Sequence, residues 1–387
     1  MHKDRGTAAD PIRSTIRDLR AAIRRHPAWR EWGEGAGGPG RHLHLNESPY
    51  PPPPAVINAI CAEASLVNRY PPPNPERLAQ KLGSRVGVPA SRIVLGAGSD
   101  ELIYLSALLV LEPGREALVP QPAFPRYTHA SRVMGAVARP VPLHPGGYND
   151  VRAALAGVRD GTRLIFLASP NNPTGTAIPA ADLTHLARCA PPGVLLVVDE
   201  AYHDFSRFAG CPDILNALAD CASPWVVIRS FSKSYMMAGL RLGYAVCASD
   251  DLAEMLGRVR PVFNVNRLAH AAALAALDEH EYLDARLEEC ARQRARLVSG
   301  LAALGVIPLP SAANFVAADI GRPAAPVVAA LERDRILIAS IECPGYEHFV
   351  RISVGSEPDV DFVLQALAGA LQRLPLSRAT RAAVETA

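Results

Sequence analysis

Lysine is scarce in this chain, and one lysine stands where an amine could do chemistry. The 40 basic residues include only three lysines, Lys3, Lys81 and Lys233. Lys233 follows the apolar run WVVIRS and precedes a stretch rich in Met, Ala and Leu, whereas Lys81 lies on a polar face of a predicted helix. A lysine forms Schiff bases when its surroundings lower its pKa and a carbonyl compound binds beside it. Most lysines are solvated surface residues, so this interpretation depends on the residues around Lys233.

Asp199 ends the apolar run VLLVVD, where burial would destabilise a carboxylate that has no partner. An ordinary helix N-cap is the simpler interpretation. The chemical interpretation is a buried carboxylate that keeps the nitrogen of a bound pyridine ring protonated, which makes the ring an electron sink. Tyr202, three residues later, would bring a hydroxyl to the same ring.

Two polar turns and an arginine would complete such a site. The turn SPNNPTG at 169–175 contains two prolines, and its Asn172 is a candidate donor to a phenolate oxygen of the cofactor. The segment GAGSDE at 96–101 precedes an apolar helix, whose first N–H groups would attract a phosphate. Glycine-rich caps are common, and this one is not the GxGxxG motif of dinucleotide-binding proteins. Arg241 would add a fork of donors to the same phosphate.

Short apolar runs that alternate with helical patterns predict the elements that position these residues. Continuous Val, Ile and Leu runs indicate an α/β fold with a mainly parallel sheet covered on both faces. Ligands bind beyond the carboxyl ends of the strands in such sheets, so the polar turns that follow four of these strands should converge. The runs lie at 92–95, 117–119, 163–168, 193–198, 225–229 and 242–247.

The length of 387 residues predicts a large domain and a smaller one. We expect an N-terminal helix (12–25) and connection at 1–45, a large domain at 46–262 with 46–75 partly shared, and a small α+β domain at 263–387. The small domain is predicted from helical patterns at 268–278, 281–304 and 359–373 and from strand patterns at 314–318, 336–339 and 349–353.

Charge and cysteine content argue against several classes of partner. The net charge is +2 with no basic block, so neither nucleic acid nor an anionic membrane is expected as a partner. No apolar run reaches the roughly 18 residues of a membrane helix. The seven cysteines form no CxxC pair, which is typical of reduced, mostly buried thiols in a cytoplasmic protein, and no metal site is expected.

Taken together, these motifs resemble the fold-type I pyridoxal-phosphate (PLP) enzymes of the aspartate aminotransferase superfamily, and they look most like its histidinol-phosphate aminotransferase branch. They occur in the family's order and cover residues 45 to 355. The matching strings are LNESPY (45–50), RYPPPNP (69–75), GAGSDE (96–101), PAFPRY (122–127), SPNNPTG (169–175), DEAY (199–202), RSFSKSYMMAGLRLGY (229–244), ANF (313–315) and VRISVG (350–355).

The resemblance implies a fold-type I architecture and an aminotransferase that uses PLP, an amino donor and a keto acceptor. Lys233 would form the Schiff base and carry the proton. Asp199 would pair with the ring nitrogen, Asn172 and Tyr202 would hold the 3′ oxygen, and Phe124 would stack on the ring.

The resemblance also implies contacts at the cofactor phosphate and at the substrate. Tyr70 would reach the phosphate from the neighbouring subunit, which implies a homodimer. Arg351 would bind the substrate α-carboxylate, with Asn314 and Asn46 beside it. The phosphate contacts within the chain would be Gly98, Ser99, Asp100 (through its backbone), Ser230, Ser232 and Arg241.

Two positions depart from the histidinol-phosphate branch. That branch has a tyrosine and an arginine for the substrate phosphate, where this chain has Ala21-Ala22 and either Ala339 or Ser340. Each lost fork of charged donors would cost about 1.5–3 kcal/mol. The departures predict an amino acid or amine without these contacts, in specialised rather than histidine metabolism, although Arg20 or Arg24 could compensate.

Two other functions compete with transamination. A PLP-dependent lyase, catalysing decarboxylation, elimination, replacement or C–C bond formation, would use the same residues. A PLP-sensing transcription factor would need a DNA-binding domain, and the roughly 45 residues before LNESPY are too few for one.

Overall fold

The computed structural model describes residues 40–71 and 76–374, so the predicted helix at 12–25 lies outside the described residues. Two short 3₁₀ helices lie at Ala90–Arg92 and Ala238–Leu240. The α-helices are α1 (Pro54–Ala64), α2 (Glu76–Val86), α3 (Ser99–Val110), α4 (Arg126–Val133), α5 (Val151–Ala156), α6 (Ala180–Cys189), α7 (His203–Phe208), α8 (Ile214–Leu218), α9 (Asp250–Val259), α10 (Arg267–Ala276), α11 (His280–Ala303), α12 (Ala324–Arg333) and α13 (Glu357–Arg373). The strands are β1 (Arg41–His42), β2 (Ile93–Gly96), β3 (Glu116–Gln121), β4 (Val137–Pro142), β5 (Thr162–Ala168), β6 (Leu195–Asp199), β7 (Trp225–Ser230), β8 (Gly243–Cys247), β9 (Ile307–Pro308), β10 (Phe315–Asp319), β11 (Ile336–Leu337), β12 (Ala339–Ser340) and β13 (Phe349–Ser353).

Seven strands form one large sheet in the order β2-β8-β7-β6-β5-β3-β4. Only β8 runs antiparallel to its neighbours, so the mainly parallel sheet is confirmed. Successive residues of a strand point to opposite faces. Leu196 and Val198 enter one buried core while Leu195 and Val197 enter the other, which explains the continuous apolar runs.

Four strands form a smaller antiparallel sheet in the order β12-β13-β10-β9. Val350 and Ile352 of β13 point into a third core against α11, α12 and α13. Arg351 points to the opposite face. β1 pairs in parallel with β11, which fastens residues 41–42 to this part of the molecule.

The α/β fold class is confirmed by this architecture, whereas the domain bounds stay a prediction. α10 packs on α1, and its buried residues, among them Ala269 and Ala273, belong to the same core as the large sheet. The change from the larger core to the smaller one therefore falls within α11, C-terminal to the predicted boundary after residue 262.

One expectation about the thiols was wrong. All seven cysteines are free, but only Cys247 and Cys343 are buried, and Cys61 and Cys189 are exposed. Among the described residues, no helix has both the length and the apolar composition that crossing a membrane would need.

Candidate active site

Four strands deliver the predicted polar turns to one edge of the large sheet. β2, β5, β6 and β7 point the same way, because β8 is antiparallel to both β2 and β7. Gly243 at the start of β8 pairs with Gly96 on one side and with Ser230 on the other. The turns that begin at residues 96, 169, 199 and 230 therefore meet, as the sequence predicts.

Lys233 lies at this edge with its amine half-buried. Its Nζ donates a hydrogen bond to the carbonyl of Leu45 at 2.9 Å and lies 6.0 Å from the centroid of the Tyr202 ring. Burial, and then the positive charge of Arg351, lower the pKa of Lys233 from 10.5 to about 8. A substantial fraction of the amine is therefore neutral, and so nucleophilic, near physiological pH.

Asp199 is 6% exposed and ends β6. Oδ2 accepts a hydrogen bond from the Tyr127 hydroxyl at 2.8 Å, and Oδ1 accepts one from the backbone N–H of Ala201 at 2.9 Å. Burial raises the pKa of Asp199 to about 6, against the lowering effect of these two bonds. Within residues 40–71 and 76–374 it forms no ion pair, so this buried carboxylate is suited to a cationic ring nitrogen.

Tyr202 is buried near Lys233 and is linked to two of the three predicted asparagines, directly to Asn46 and through it to Asn314. Its hydroxyl accepts a hydrogen bond from Asn46 Nδ2 at 2.9 Å, and Asn314 Nδ2 donates to the Asn46 carbonyl at 3.0 Å. Burial raises the pKa of Tyr202 to about 12, so the phenol stays protonated. Asn46, which has a left-handed φ of 56°, also binds Ser353 through its N–H at 2.9 Å.

The predicted phosphate contacts gather at the start of α3. A Cβ on Gly98, whose φ is +85°, would lie 2.5 Å from Nη2 of Arg241, and a Cβ on Gly243 would lie 2.6 Å from the Ser99 nitrogen. The N-cap residue of this helix is Gly98, which has no side chain to bind the first N–H groups. Both glycines therefore let a guanidinium and a free helix N-terminus approach each other, which is the donor set that a phosphate needs.

The two serines and Asp100 complete this group. Arg241 Nη1 lies 3.4 Å from Ser232 Oγ, and Ser232 N–H donates to Ser230 Oγ at 3.1 Å. The carboxylate of Asp100 makes two 2.5 Å bonds to Arg126. Its side chain is therefore committed to Arg126, so only its backbone N–H is left for a phosphate, in line with the prediction.

The side chain of Arg351 extends from the small sheet to the edge of the large sheet where these residues meet. Nη1 donates to Asn172 Oδ1 at 2.5 Å, and Nη2 donates to the His44 carbonyl. Asn172 thus accepts from Arg351 through its oxygen, and its amide nitrogen remains the group that the sequence predicts as a donor to the cofactor. In the sheet, Arg351 is flanked by Ala339 on β12 and Ala317 on β10.

The two aromatic residues predicted to contact the cofactor each pack against another aromatic ring of the chain. Phe124 stands edge-on to Tyr127, with centroids 5.9 Å apart. Tyr70 is 79% exposed and stacks on Phe263 at 4.7 Å, so its contribution to a neighbouring subunit stays a prediction.

Sequence reasoning missed several contacts of the site. Tyr127 was present in the quoted string PAFPRY, but nothing in that string indicates its bond to Asp199. The His44 and Leu45 carbonyls have no sequence signal, because any residue supplies one. Beside Asp199, Glu200 forms a buried ion pair with Arg229 at 2.8 Å.

These residues fit PLP on the chemistry of their donors. A buried carboxylate without a cation suits the ring nitrogen, an amine with a lowered pKa suits the carbonyl carbon, and a helix N-terminus beside Arg241 suits the phosphate.

Comparisons with known proteins agree with this geometry. The family model for aminotransferase class I and II matches residues 42–367. Histidinol-phosphate aminotransferase 2 of Pseudomonas aeruginosa is 41% identical over 327 residues, which cover 84% of this chain and 87% of that protein. The corresponding protein of Carboxydothermus hydrogenoformans is 38% identical, with 81% and 86% covered. The crystal structure of histidinol-phosphate aminotransferase from Sinorhizobium meliloti in complex with pyridoxal-5′-phosphate has a TM-score of 0.87 and 30% identity, and covers 95% of this chain and 100% of that one.

Proposed function

Because this chain belongs to the class I and II aminotransferases and is a PLP-dependent transaminase, we propose that its amino donor carries a carboxylate and no phosphate. The observation that supports this proposal is the row Ala317–Arg351–Ala339, in which the residues opposite Arg351 on both neighbouring strands are alanines. The proposal places the enzyme in specialised rather than histidine metabolism.

When bound, PLP supplies a carbonyl carbon and an electron-withdrawing pyridinium ring. Asp199 would hold the proton on the ring nitrogen, and Asn172 and Tyr202 would hold the 3′ oxygen. Phe124 would cover the ring. The phosphate would be held by the N–H groups of Gly98, Ser99 and Asp100 and by the side chains of Ser230, Ser232 and Arg241.

Lys233 and Arg351 would act on the donor. As a neutral amine, Lys233 Nζ would remove the proton from the donor's α-carbon. Arg351 Nε is buried and has no hydrogen-bond partner among the described residues. A carboxylate would give that nitrogen an acceptor and form a charge-assisted pair with the guanidinium.

The residues directly opposite Arg351 on the two neighbouring strands are apolar. Directly opposed residues of an antiparallel pair have Cβ atoms about 5 Å apart, so Ala339 and Ala317 both lie beside Arg351 on the face that reaches the site. Ala317 also belongs to an apolar cluster with Ile341 and Cys343. A donor phosphate next to Arg351 would therefore meet methyl groups on this face, where a second arginine would be needed.

The relatives and structures named above are all aminotransferases, which favours transamination over the lyase alternative. Both relatives and the solved structure named above are named for histidinol phosphate, so the proposal separates this chain from them by substrate. Arg351 alone does not distinguish the two kinds of donor, because histidinol phosphate has no carboxylate. The support for a donor without a phosphate comes from Ala339, which stands beside Arg351 where a second arginine is expected.

A donor panel tests the proposal directly. Single-turnover conversion would be compared for histidinol phosphate, aromatic amino acids and basic amino acids, and an amino acid should give the highest kcat/KM. Histidinol phosphate as the best donor of the unmodified enzyme would overturn the proposal.

Ala339→Arg sharpens this test. It should raise kcat/KM for histidinol phosphate at least about tenfold, since a charged hydrogen bond contributes about 1.5–3 kcal/mol. Ser340→Arg is the matched control, because residue 340 opposes Val350 and so points to the other face of the sheet. An equal gain in both variants would contradict the assignment of Ala339.

We also propose a cytoplasmic homodimer, in which Tyr70 of one subunit reaches the phosphate site of the other. Tyr70, Val67 and Val262 are 79%, 64% and 71% exposed, an apolar surface that a second subunit would cover. The seven free cysteines are in keeping with a reducing compartment. Sedimentation equilibrium should give twice the 41.3 kDa chain mass, and a monomer at micromolar concentration would contradict the shared site.

A further inference from the structure

We propose that Tyr127 is a positioning residue that keeps Asp199 ionised and aimed at the ring nitrogen of the cofactor. The inference rests on the role proposed above for Asp199. Its evidence is separate, since it comes from how the carboxylate and the tyrosine are held.

The ring of Tyr127 is fixed from two sides. Tyr127 is 1% exposed, and its ring stacks on Phe166 of β5 with centroids 5.0 Å apart and planes 15° apart. Phe124 meets its edge at 5.9 Å. With the ring held in this way, the hydroxyl has one position, 2.8 Å from Asp199 Oδ2.

Both oxygens of Asp199 are oriented by donors. The Ala201 N–H binds Oδ1 and the Tyr127 hydroxyl binds Oδ2. These bonds fix the carboxylate plane, because each oxygen keeps one lone pair for its donor and directs the other elsewhere. Tyr127 thereby sets the direction from which a ring N–H can reach the carboxylate.

The Tyr127 hydroxyl also counteracts the nearby negative charges, which favour protonation of Asp199. Burial raises the pKa of Asp199, and the negative charges of Glu200 and Asp100 raise it further, while the hydrogen bond from Tyr127 lowers it. Lys233 and Tyr202 are the other titratable groups coupled to Asp199. A donor to the charged form favours that form, so the hydroxyl of Tyr127 helps Asp199 stay an acceptor.

Binding to the apoenzyme tests this without turnover. The variant Tyr127→Phe keeps the stacked ring and removes only the hydroxyl. Apoenzyme would be titrated by fluorescence with PLP and with its carbocyclic analogue, in which C–H replaces the ring nitrogen. We expect the preference for PLP over the analogue to fall about tenfold, the effect of one lost hydrogen bond to a charged group.

Two further variants separate the possible outcomes. Tyr104→Phe is the matched control, because it removes a tyrosine hydroxyl that binds His129 rather than the site, and it should leave the preference unchanged. Asp199→Ala should abolish the preference. If Asp199→Ala abolishes it and Tyr127→Phe leaves it intact, the inference about Tyr127 is wrong. If Asp199→Ala leaves it intact, the role proposed for Asp199 is wrong.

The pH dependence of the preference for PLP is a second test, because a purely structural role of Tyr127 would not change its midpoint. In the apoenzyme Asp199 is ionised above its raised pKa of about 6, so the preference for PLP should be lost as pH falls through that value. Removing the hydroxyl raises this pKa, so the loss should begin at higher pH in Tyr127→Phe. Tyr127→His, which can still supply an N–H donor, should restore part of the preference. Equal midpoints in Tyr127→Phe and the unmodified protein would overturn the proposal.

Discussion

The two halves of the active site are built in different ways. At the end of the large sheet, Asp199 is held by two donors, and glycines let Arg241 approach the start of α3. On the small sheet, Arg351 contacts Asn172 and the His44 carbonyl and is flanked by alanines. The cofactor half is thus fixed by many mutually dependent contacts. The proposed substrate half depends on a few side chains, so we expect a change at a position such as Ala339 to alter specificity with little effect on the cofactor half.

Lys233→Ala should have the largest effect, because Lys233 serves both halves. It removes the amine that we propose as the nucleophile and as the group that moves the proton, so kcat should fall about 1,000-fold or more. The visible absorbance of the cofactor linked to the protein should disappear. Lys81→Ala is the matched control, since Lys81 binds Asp278 and the Leu274 carbonyl away from the site. If Lys233→Ala keeps the visible band, and borohydride bleaches that band and fixes the cofactor permanently to the protein, another amine forms the Schiff base and the assignment is wrong.

Arg351→Gln should affect the substrate half more than the cofactor half. It removes a charged hydrogen-bond donor worth about 1.5–3 kcal/mol, so kcat/KM for amino acids should fall about 10- to 150-fold. Donors without a carboxylate should lose much less. The affinity of the apoenzyme for PLP should change only slightly, through the bond of Arg351 to Asn172 and the effect of its charge on the pKa of Lys233. Arg296→Gln, which breaks ion pairs with Glu357 and Asp361 at the surface, is the control. Equal losses for donors with and without a carboxylate would show that the halves are not separable.

The smallest expected effect is the influence of Arg351, in the substrate half, on the pKa of Lys233, in the cofactor half. Lys233 has a pKa of about 8, so the rate at which the apoenzyme binds PLP covalently should rise as pH increases through 8. The positive charge of Arg351 contributes to this lowering. In Arg351→Gln the pKa of Lys233 should therefore be higher, and the midpoint of the pH–rate profile should move upward. A stopped-flow pH series would measure it, and an unmoved midpoint would mean that burial alone sets the pKa.

Sequence patterns predicted the cofactor half better than the substrate half. Strands β5, β6 and β7 were recognisable because both of their faces are buried, and the residues that follow them share one edge. β4 was not predicted, because VARPVP is a partly exposed edge strand with two prolines.

Contacts between distant segments leave no local pattern. The Tyr127–Asp199 bond spans 72 residues and the Asn46–Tyr202 bond spans 156. The position of Ala339 beside Arg351 depends on the register of β12 with β13. The resemblance predicted a departure from the histidinol-phosphate branch at Ala339 or Ser340, and the register places residue 339 on the same face as Arg351.

The segment at residues 44–46 bears on how the protein is synthesised. Its His44 and Leu45 carbonyls and the Asn46 side chain bind Arg351, Lys233 and Tyr202, which lie 307, 188 and 156 residues later. Chains grow at roughly 5–20 residues per second, so about 15–60 s separate His44 from Arg351 on the ribosome. Residues 44–46 therefore have no complete set of partners until Arg351 has been synthesised. A nascent chain that stops before β13 cannot contain the complete site.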